Sequence, residues 1–275
     1  MQTTILASDF AVKIEGVDLS KPVDDATFDE LRSLWMQYKV ALFPGQSLED
    51  QELLAFAGRL GPIFKHVQST LHTGDNKDVM YMSNRQQKAL VQGELYWHTD
   101  QSYTPKPVFG TILYGIDIPS RGGETCFADL AATYDTLPDK LRRHVEGVTA
   151  VYAAEKAGHK RRVPLTEEER KKIRDVVHPL VRRHPYLGRK ALYLSPSHIK
   201  AIGDLPEAES EELLGELTEH ATKPERVYVH SWTPGDVIMW DNTSVMHRRN
   251  DFPAEERRFH KRTGFYLPDE LATPF

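Results

Sequence analysis

The spacing of apolar positions changes several times along the chain, and each change marks an element. Residues 10–14 alternate weakly and predict a short strand. Over 24–38 the period turns helical, with Phe28, Leu31, Trp35 and Tyr38 on one side, a stripe that reads as core packing. The run Val40-Ala41-Leu42-Phe43 predicts a buried strand stopped by Pro44-Gly45. Ser47-Leu48-Glu49-Asp50 resembles a capping box that opens a helix to Leu60, which Gly61-Pro62 ends. Residues 63–95 show little periodicity and predict loops at a mouth or lid, as does 153–177 apart from a short helix from Thr166 to about Asp175.

Further strands are predicted over 108–118, from Thr125, and over 148–152, with a helix over 133–145 broken in two at Pro138. Residues 178–184 and 189–194 predict a hairpin around Gly188. Residues 206–221 predict a helix with Pro206 in its first turn and Leu213, Leu214 and Leu217 facing inward. The end is strand-rich: 227–232, 237–240, 245–249 and 257–267, separated by Pro234-Gly235-Asp236, Asp241-Asn242 and Asp251-Phe252-Pro253. Many short strands with a few helices predict a mainly β fold with flanking helices, a double-stranded β-helix (a cupin-like jelly roll), with residues 1–275 as one domain.

Composition narrows the function. Forty per cent hydrophobic residues suffice for a sizeable core, and a net charge of −5 disfavours a general nucleic-acid surface. With Cys126 as the one cysteine, no intrachain disulfide can form, which fits a reducing compartment. No apolar run approaches the roughly 20 residues that span a bilayer, and the start lacks a signal-peptide pattern. A cytoplasmic protein, without membrane or nucleic-acid partners and forming a homo-oligomer, is expected. The basic run His159-Lys160-Arg161-Arg162 reads as a solvated face, with substrate contact as the alternative.

Trp97-His98-Thr99-Asp100 carries the candidate chemistry. Residues two apart on a strand point the same way, so His98 and Asp100 would present an imidazole and a carboxylate to one spot. His247 would complete two His and one carboxylate, the ligand set of non-heme Fe(II) oxygenases, with open positions for a cosubstrate and O2. A 2-oxo acid chelating such a metal needs a cation for its far carboxylate, and the planar fork of Arg suits it. Arg258 follows His247 by eleven residues and has the strand context for that role; the alternative is a surface arginine paired with Glu255 or Glu256. On a regular strand Arg258, His260, Arg262 and Gly264 share a face, with Arg258 and Arg262 roughly 13 Å apart. Two other classes use the same trio: a zinc hydrolase, and a non-catalytic cupin-like metal-binding protein.

These residues, with Gly122-Gly123-Glu124-Thr125, Trp240-Asp241-Asn242, and His178-Pro179-Leu180-Val181-Arg182 with Gly188-Arg189-Lys190, resemble the motifs of the taurine dioxygenase and 2,4-dichlorophenoxyacetate dioxygenase family. The resemblance runs from about Phe10 to Leu267 with motif order intact. It implies an Fe(II)- and 2-oxoglutarate-dependent dioxygenase, with O2 as second cosubstrate and a small anionic primary substrate. By that resemblance His98, Asp100 and His247 hold iron, Thr125 and Arg258 hold the far carboxylate of 2-oxoglutarate, and Arg262 faces the substrate anion. His66 resembles a substrate histidine of the taurine enzyme. Glu94 stands where that enzyme has Asn, which disfavours taurine and points to an aryloxyalkanoate; an alkylsulfonate is the alternative. Trp97 and Trp240 read as walls beside the metal, and Cys126 as a small core residue.

Overall fold

A computed structural model describes residues 1–6, 9–65, 76–85, 95–156 and 166–271. Its largest sheet has seven strands in the order β1 (Gln2–Ile5), β2 (Ala11–Glu15), β3 (Val40–Phe43), β13 (Val237–Asp241), β5 (Gly110–Asp117), β15 (Phe259–Phe265) and β4 (Met80–Ser83). A three-stranded sheet, β12 (Val227–His230), β6 (Thr125–Asp129) and β14 (Val245–Arg249), belongs to the same core. A second three-stranded sheet joins β11 (Ile199–Ile202), β7 (Thr149–Tyr152) and β8 (Val176–Pro179), and β9 (Val181–Arg183) pairs with β10 (Lys190–Leu192) as the hairpin around Gly188. This is the double-stranded β-helix expected from the strand count.

Alternation along the strands sorts side chains into two layers. Val237 and Met239 of β13, Ile112 of β5 and Phe265 of β15 pack against α1 (Asp25–Tyr38) and α2 (Asp50–Leu60). Trp35 of α1 is wholly buried there, edge-on to Phe109 and Phe265 with ring centroids 5.4 and 5.5 Å away. Ile238 and Trp240, one residue out of phase, face the interior between the sheets with Leu113, Phe127 and Val245. A third cluster lies beneath α3 (Leu130–Asp135), α4 (Asp139–Val145) and α6 (Glu207–Ala221), where Leu213, Leu214 and Leu217 point inward as expected. The short α5 (Glu167–Lys172) stands where a helix was predicted.

Several boundaries differ from the expectation for identifiable reasons. The first helical residue of α2 is Asp50, and Glu52 accepts the Glu49 N–H at 2.8 Å, so the box starts at Glu49 rather than Ser47. The Asp129 carboxylate accepts the Ala131 and Ala132 N–H groups at 3.0 Å and starts α3 at Leu130, before the predicted Thr133; Pro138 does separate α3 from α4. Pro206 is the N-cap of α6, just outside its first turn. The strands β1, β4 and β11 were not foreseen. All four residues of β1 are exposed, so it pairs with β2 without any buried face to leave an alternating pattern. Most of 63–95, and 157–165 including the basic run, lie outside the described residues. Among the described residues, no helix is long and apolar enough to cross a membrane.

Candidate active site

His98, Asp100 and His247 converge, though not by the alternation first expected. His98 forms a single antiparallel bridge with His247: each backbone N–H donates to the other's carbonyl, at 2.9 and 2.8 Å. Asp100 has already left that bridge and lies in a turn, with Gln101 after it at φ 52°. The turn swings the carboxylate back, so that ligand atoms of the three residues lie within 4.8 Å of one another and all three are buried. The Nε2 atoms of His98 and His247 stand 3.6 and 3.7 Å from Asp100 Oδ1. His98 Nδ1 lies 2.9 Å from the Tyr96 carbonyl and must donate to it, which leaves the Nε2 lone pair facing the cluster.

The carboxylate is fixed from behind. Thr111 Oγ1 donates to Asp100 Oδ2 at 2.7 Å, and Asn242 Nδ2 donates to Thr111 Oγ1 at 3.0 Å. Asn242 Oδ1 accepts from Trp240 Nε1 at 3.1 Å and from the Asp100 backbone N–H at 3.3 Å. Trp240 also lies 4.7 Å from the His247 ring, so it is a wall beside the cluster, as read from the sequence. Burial would raise the Asp100 carboxyl, but Arg262, then His247 and His98, outweigh it and hold it well below the usual carboxylate range. Arg262 forms an ion pair with Asp100 Oδ1. It also lines a depression with Phe64, Met80, Val108, Thr111 and Gly264.

A second polar group lies between the sheets. The turn before β6 has Gly122 and Gly123 at φ 73° and 76°, and a Cβ on Gly122 would meet the Asp251 carbonyl at 2.3 Å. The strand then begins with Thr125, buried, whose Oγ1 accepts from Trp232 Nε1 at 3.0 Å. The indole needs the space of a missing side chain: a Cβ on Gly115 would meet it at 2.9 Å. Gly115 pairs with His260, and the Trp232 and His260 rings meet edge-on at 4.6 Å. Arg249, paired with Thr125 in the β14–β6 register, and Arg258 both face Phe252, at 4.9 and 5.9 Å from its ring centre.

Arg258 is therefore buried, and the surface alternative fails for it; its neighbour Arg257 is the exposed one, paired with Asp117 at 3.0 Å. Burial first, and Arg249 second, bring the Arg258 guanidinium down to about 9. Among the described residues no carboxylate reaches it, and its Nε has no hydrogen-bond partner. Arg249 has Asp251 at 3.8 Å, whereas the buried Arg258 has no such partner among the described residues, so its surroundings suit an anion. The donor set of the trio suits a divalent transition metal, and the Arg258 region suits the remote carboxylate of a chelating acid.

Residues 3–263 match the sequence profile of the Taurine catabolism dioxygenase TauD, TfdA family. The chain belongs to this family. It is a 2-oxoglutarate-dependent dioxygenase that works with Fe(II) and O2, which removes the hydrolase and non-catalytic alternatives. The dioxygenase is 33% identical over 261 residues to the (S)-phenoxypropionate/alpha-ketoglutarate-dioxygenase of Sphingobium herbicidovorans, covering 92% of this chain and 90% of that one. It is 32% identical over 265 residues to the alpha-ketoglutarate-dependent 2,4-dichlorophenoxyacetate dioxygenase of Cupriavidus pinatubonensis, covering 90% and 92%. Among solved structures, a taurine dioxygenase from Burkholderia xenovorans superposes with a TM-score of 0.81 at 31% identity, covering 96% and 90%.

Of the residues singled out in the sequence of the dioxygenase, His98, Asp100, His247 and Arg262 form one cluster, and Thr125 and Arg258 belong to the second. His66 and Glu94 lie outside the described residues. Sequence reading passed over Thr111, Trp232 and Arg249, and noted His260 only as a member of a strand face. Cys126 is buried, as expected, with its thiol 3.6 Å from Asn250 Oδ1.

Proposed function

We propose that this dioxygenase hydroxylates an aryloxyalkanoate-type carboxylate, with His98, Asp100 and His247 holding Fe(II), Thr125 and Arg258 holding the far carboxylate of 2-oxoglutarate, and Arg262 receiving the substrate's carboxylate. One observation carries the substrate reading: Arg262 lines a depression that also has Phe64, Met80 and Val108 in its walls, beside the buried trio. Lys77, Asp78 and Thr263 also line it, and a cation with apolar groups among its neighbours fits an acid with an apolar body. When bound, Fe(II) with 2-oxoglutarate and O2 supplies the oxidant for a C–H bond, and 2-oxoglutarate leaves as succinate and CO2. The residues supply placement. His98 presents Nε2 because Nδ1 is committed to Tyr96, and Thr111 keeps Asp100 Oδ1 turned toward both imidazoles. Arg262 orients the substrate by its carboxylate, and Phe64, Met80 and Val108 exclude water from the reacting carbon. Hydroxylation beside an ether oxygen gives a hemiacetal, whose aryl ether C–O bond then breaks to release a phenol and a 2-oxo acid.

His66 and Glu94 complete the proposed substrate contacts, with Glu94 disfavouring a sulfonate. Two finer readings accompany these: a reducing cytoplasm as the compartment, supported by the one buried thiol, and a homo-oligomer.

The test compares succinate release with aryloxyalkanoates and with taurine, for the natural protein, Arg262→Met and Glu94→Asn. Aryloxyalkanoates should give more coupled turnover. Arg262→Met should raise their KM on the order of tenfold to a hundredfold, the size of a lost charge-assisted contact, and Glu94→Asn should shift preference toward sulfonates. Strong turnover of taurine with none of aryloxyalkanoates would overturn the substrate assignment and leave the family standing.

A further inference from the structure

We propose that His260 is a third donor to the far carboxylate of 2-oxoglutarate, beside Thr125 and Arg258, and that it helps select an acid with a second carboxylate. The inference rests on the reading of Arg258 as the cation for that carboxylate.

His260 differs from the other buried histidines among the described residues. His230 holds Tyr228 through Nδ1 at 3.1 Å and Asp236 through Nε2 at 3.1 Å. His184 Nδ1 accepts two backbone N–H groups, from Tyr186 and Leu187, and its Nε2 faces Asp241 at 3.3 Å. His178 donates to the Thr104 carbonyl at 3.0 Å, His198 contacts Ser195 at 2.9 Å, and His220 contacts Thr136 at 3.2 Å. His260 is 0% exposed, and neither of its ring nitrogens has a hydrogen-bond partner among the described residues. At His184 and His247 one ring nitrogen lacks a hydrogen bond within the described residues, whereas at His260 both do, and buried polar groups without partners are uncommon in folded proteins.

The position of the ring indicates its partner. Along β15, Lys261 turns outward to Asp50 at 2.9 Å and Thr263 to the Asp78 carbonyl at 3.0 Å, so His260 and Arg262 lie on the opposite, interior face. The His260 ring abuts Trp232, and the indole N–H of Trp232 is held by Thr125. Arg258 precedes His260 by two residues. Burial, then Arg258, His230 and Arg249, keep the imidazole neutral, so it brings one N–H and one lone pair without a further positive charge. The group that completes this cluster must be anionic for Arg258 and accept a hydrogen bond from an imidazole. A carboxylate meets both demands, with enough lone pairs for Thr125, Arg258 and His260 together.

The experiment measures equilibrium binding of two acids to the Mn(II)-loaded protein by calorimetry. 2-Oxoglutarate carries the far carboxylate; 2-oxobutanoate has the same chelating head without it. His260→Met keeps bulk and removes the N–H. It should weaken 2-oxoglutarate on the order of tenfold, the size of one hydrogen bond to a charged group, and leave 2-oxobutanoate within about twofold. Unchanged 2-oxoglutarate affinity, or equal losses for both acids, would overturn the proposal. A second measurement needs no variant: ring N–H proton signals of the natural protein loaded with Zn(II). Addition of 2-oxoglutarate should bring one histidine N–H into slow exchange with solvent, and 2-oxobutanoate should not; the same response to both acids would count against His260. Arg258→Met is measured in parallel. If it retains full 2-oxoglutarate affinity, the cosubstrate reading of Arg258 has failed, an outcome distinct from failure of His260 alone.

Discussion

Replacing Arg258 by Met should raise the stability of the protein without its cosubstrate and lower its response to that cosubstrate. The guanidinium is buried, beside Arg249, with no carboxylate in reach among the described residues, and its pKa is held at about 9. In the unfolded chain the group is protonated to above pH 12. Below pH 9 the folded state therefore carries the whole penalty, which is relieved only as pH rises between those values. At 1.36 kcal/mol per pH unit, the drop sets an upper bound of about 4–5 kcal/mol. Apolar replacement of buried charged groups returns about 1–4 kcal/mol in practice. For a chain of this size each kcal/mol moves Tm by about 2–4 °C, so the variant should melt several degrees higher at pH 7. The natural protein at 100 Kd of 2-oxoglutarate gains about 2.7 kcal/mol. A lost charge-assisted contact raises Kd on the order of tenfold to a hundredfold and removes about 1.3–2.3 kcal/mol of that gain. Thermal melts with Mn(II), with and without 2-oxoglutarate, read both effects. A variant that melts lower without cosubstrate and keeps the full 2-oxoglutarate shift would show that Arg258 is satisfied within the protein, and would refute the reasoning.

Two further outcomes follow from the polar networks. Thr111→Val removes the donor to Asp100 Oδ2 and should cost on the order of tenfold to a hundredfold in Mn(II) affinity with the fold intact; unchanged affinity in a metal titration would make the Asn242–Thr111–Asp100 relay a packing feature only. Burial first, then Arg182, lower the His178 pKa to about 4 from an ordinary value near 6.5, so the stability it contributes is fully present above pH 6.5 and is lost as pH falls toward 4. The decline of Tm over that interval should be shallower in His178→Gln, and parallel curves would remove His178 from the account of acid sensitivity.

What the sequence by itself determined is most of the elements and the identity of the cluster of two histidines and one carboxylate. Periodicity located α1, α2, α6 and the strand-rich end because each has one face that must leave water, and such a face writes its period into the chain. The trio of His98, Asp100 and His247 was legible because motif order and spacing are properties of the chain alone. The tertiary structure decided which partners those residues meet. Asp100 reaches its place through a turn that local alternation cannot encode. Thr111 meets Asp100 through the fold, and Arg249 stands opposite Thr125 through the β14–β6 register, across more than 100 residues of chain. Gly115 makes room for Trp232 against His260, a contact that joins three separate segments. An alternating pattern states which way a side chain points but not which strand lies opposite. The anion site proposed around Arg258 therefore emerges only once the sheets have paired, when burial leaves its guanidinium without a countercharge among the described residues.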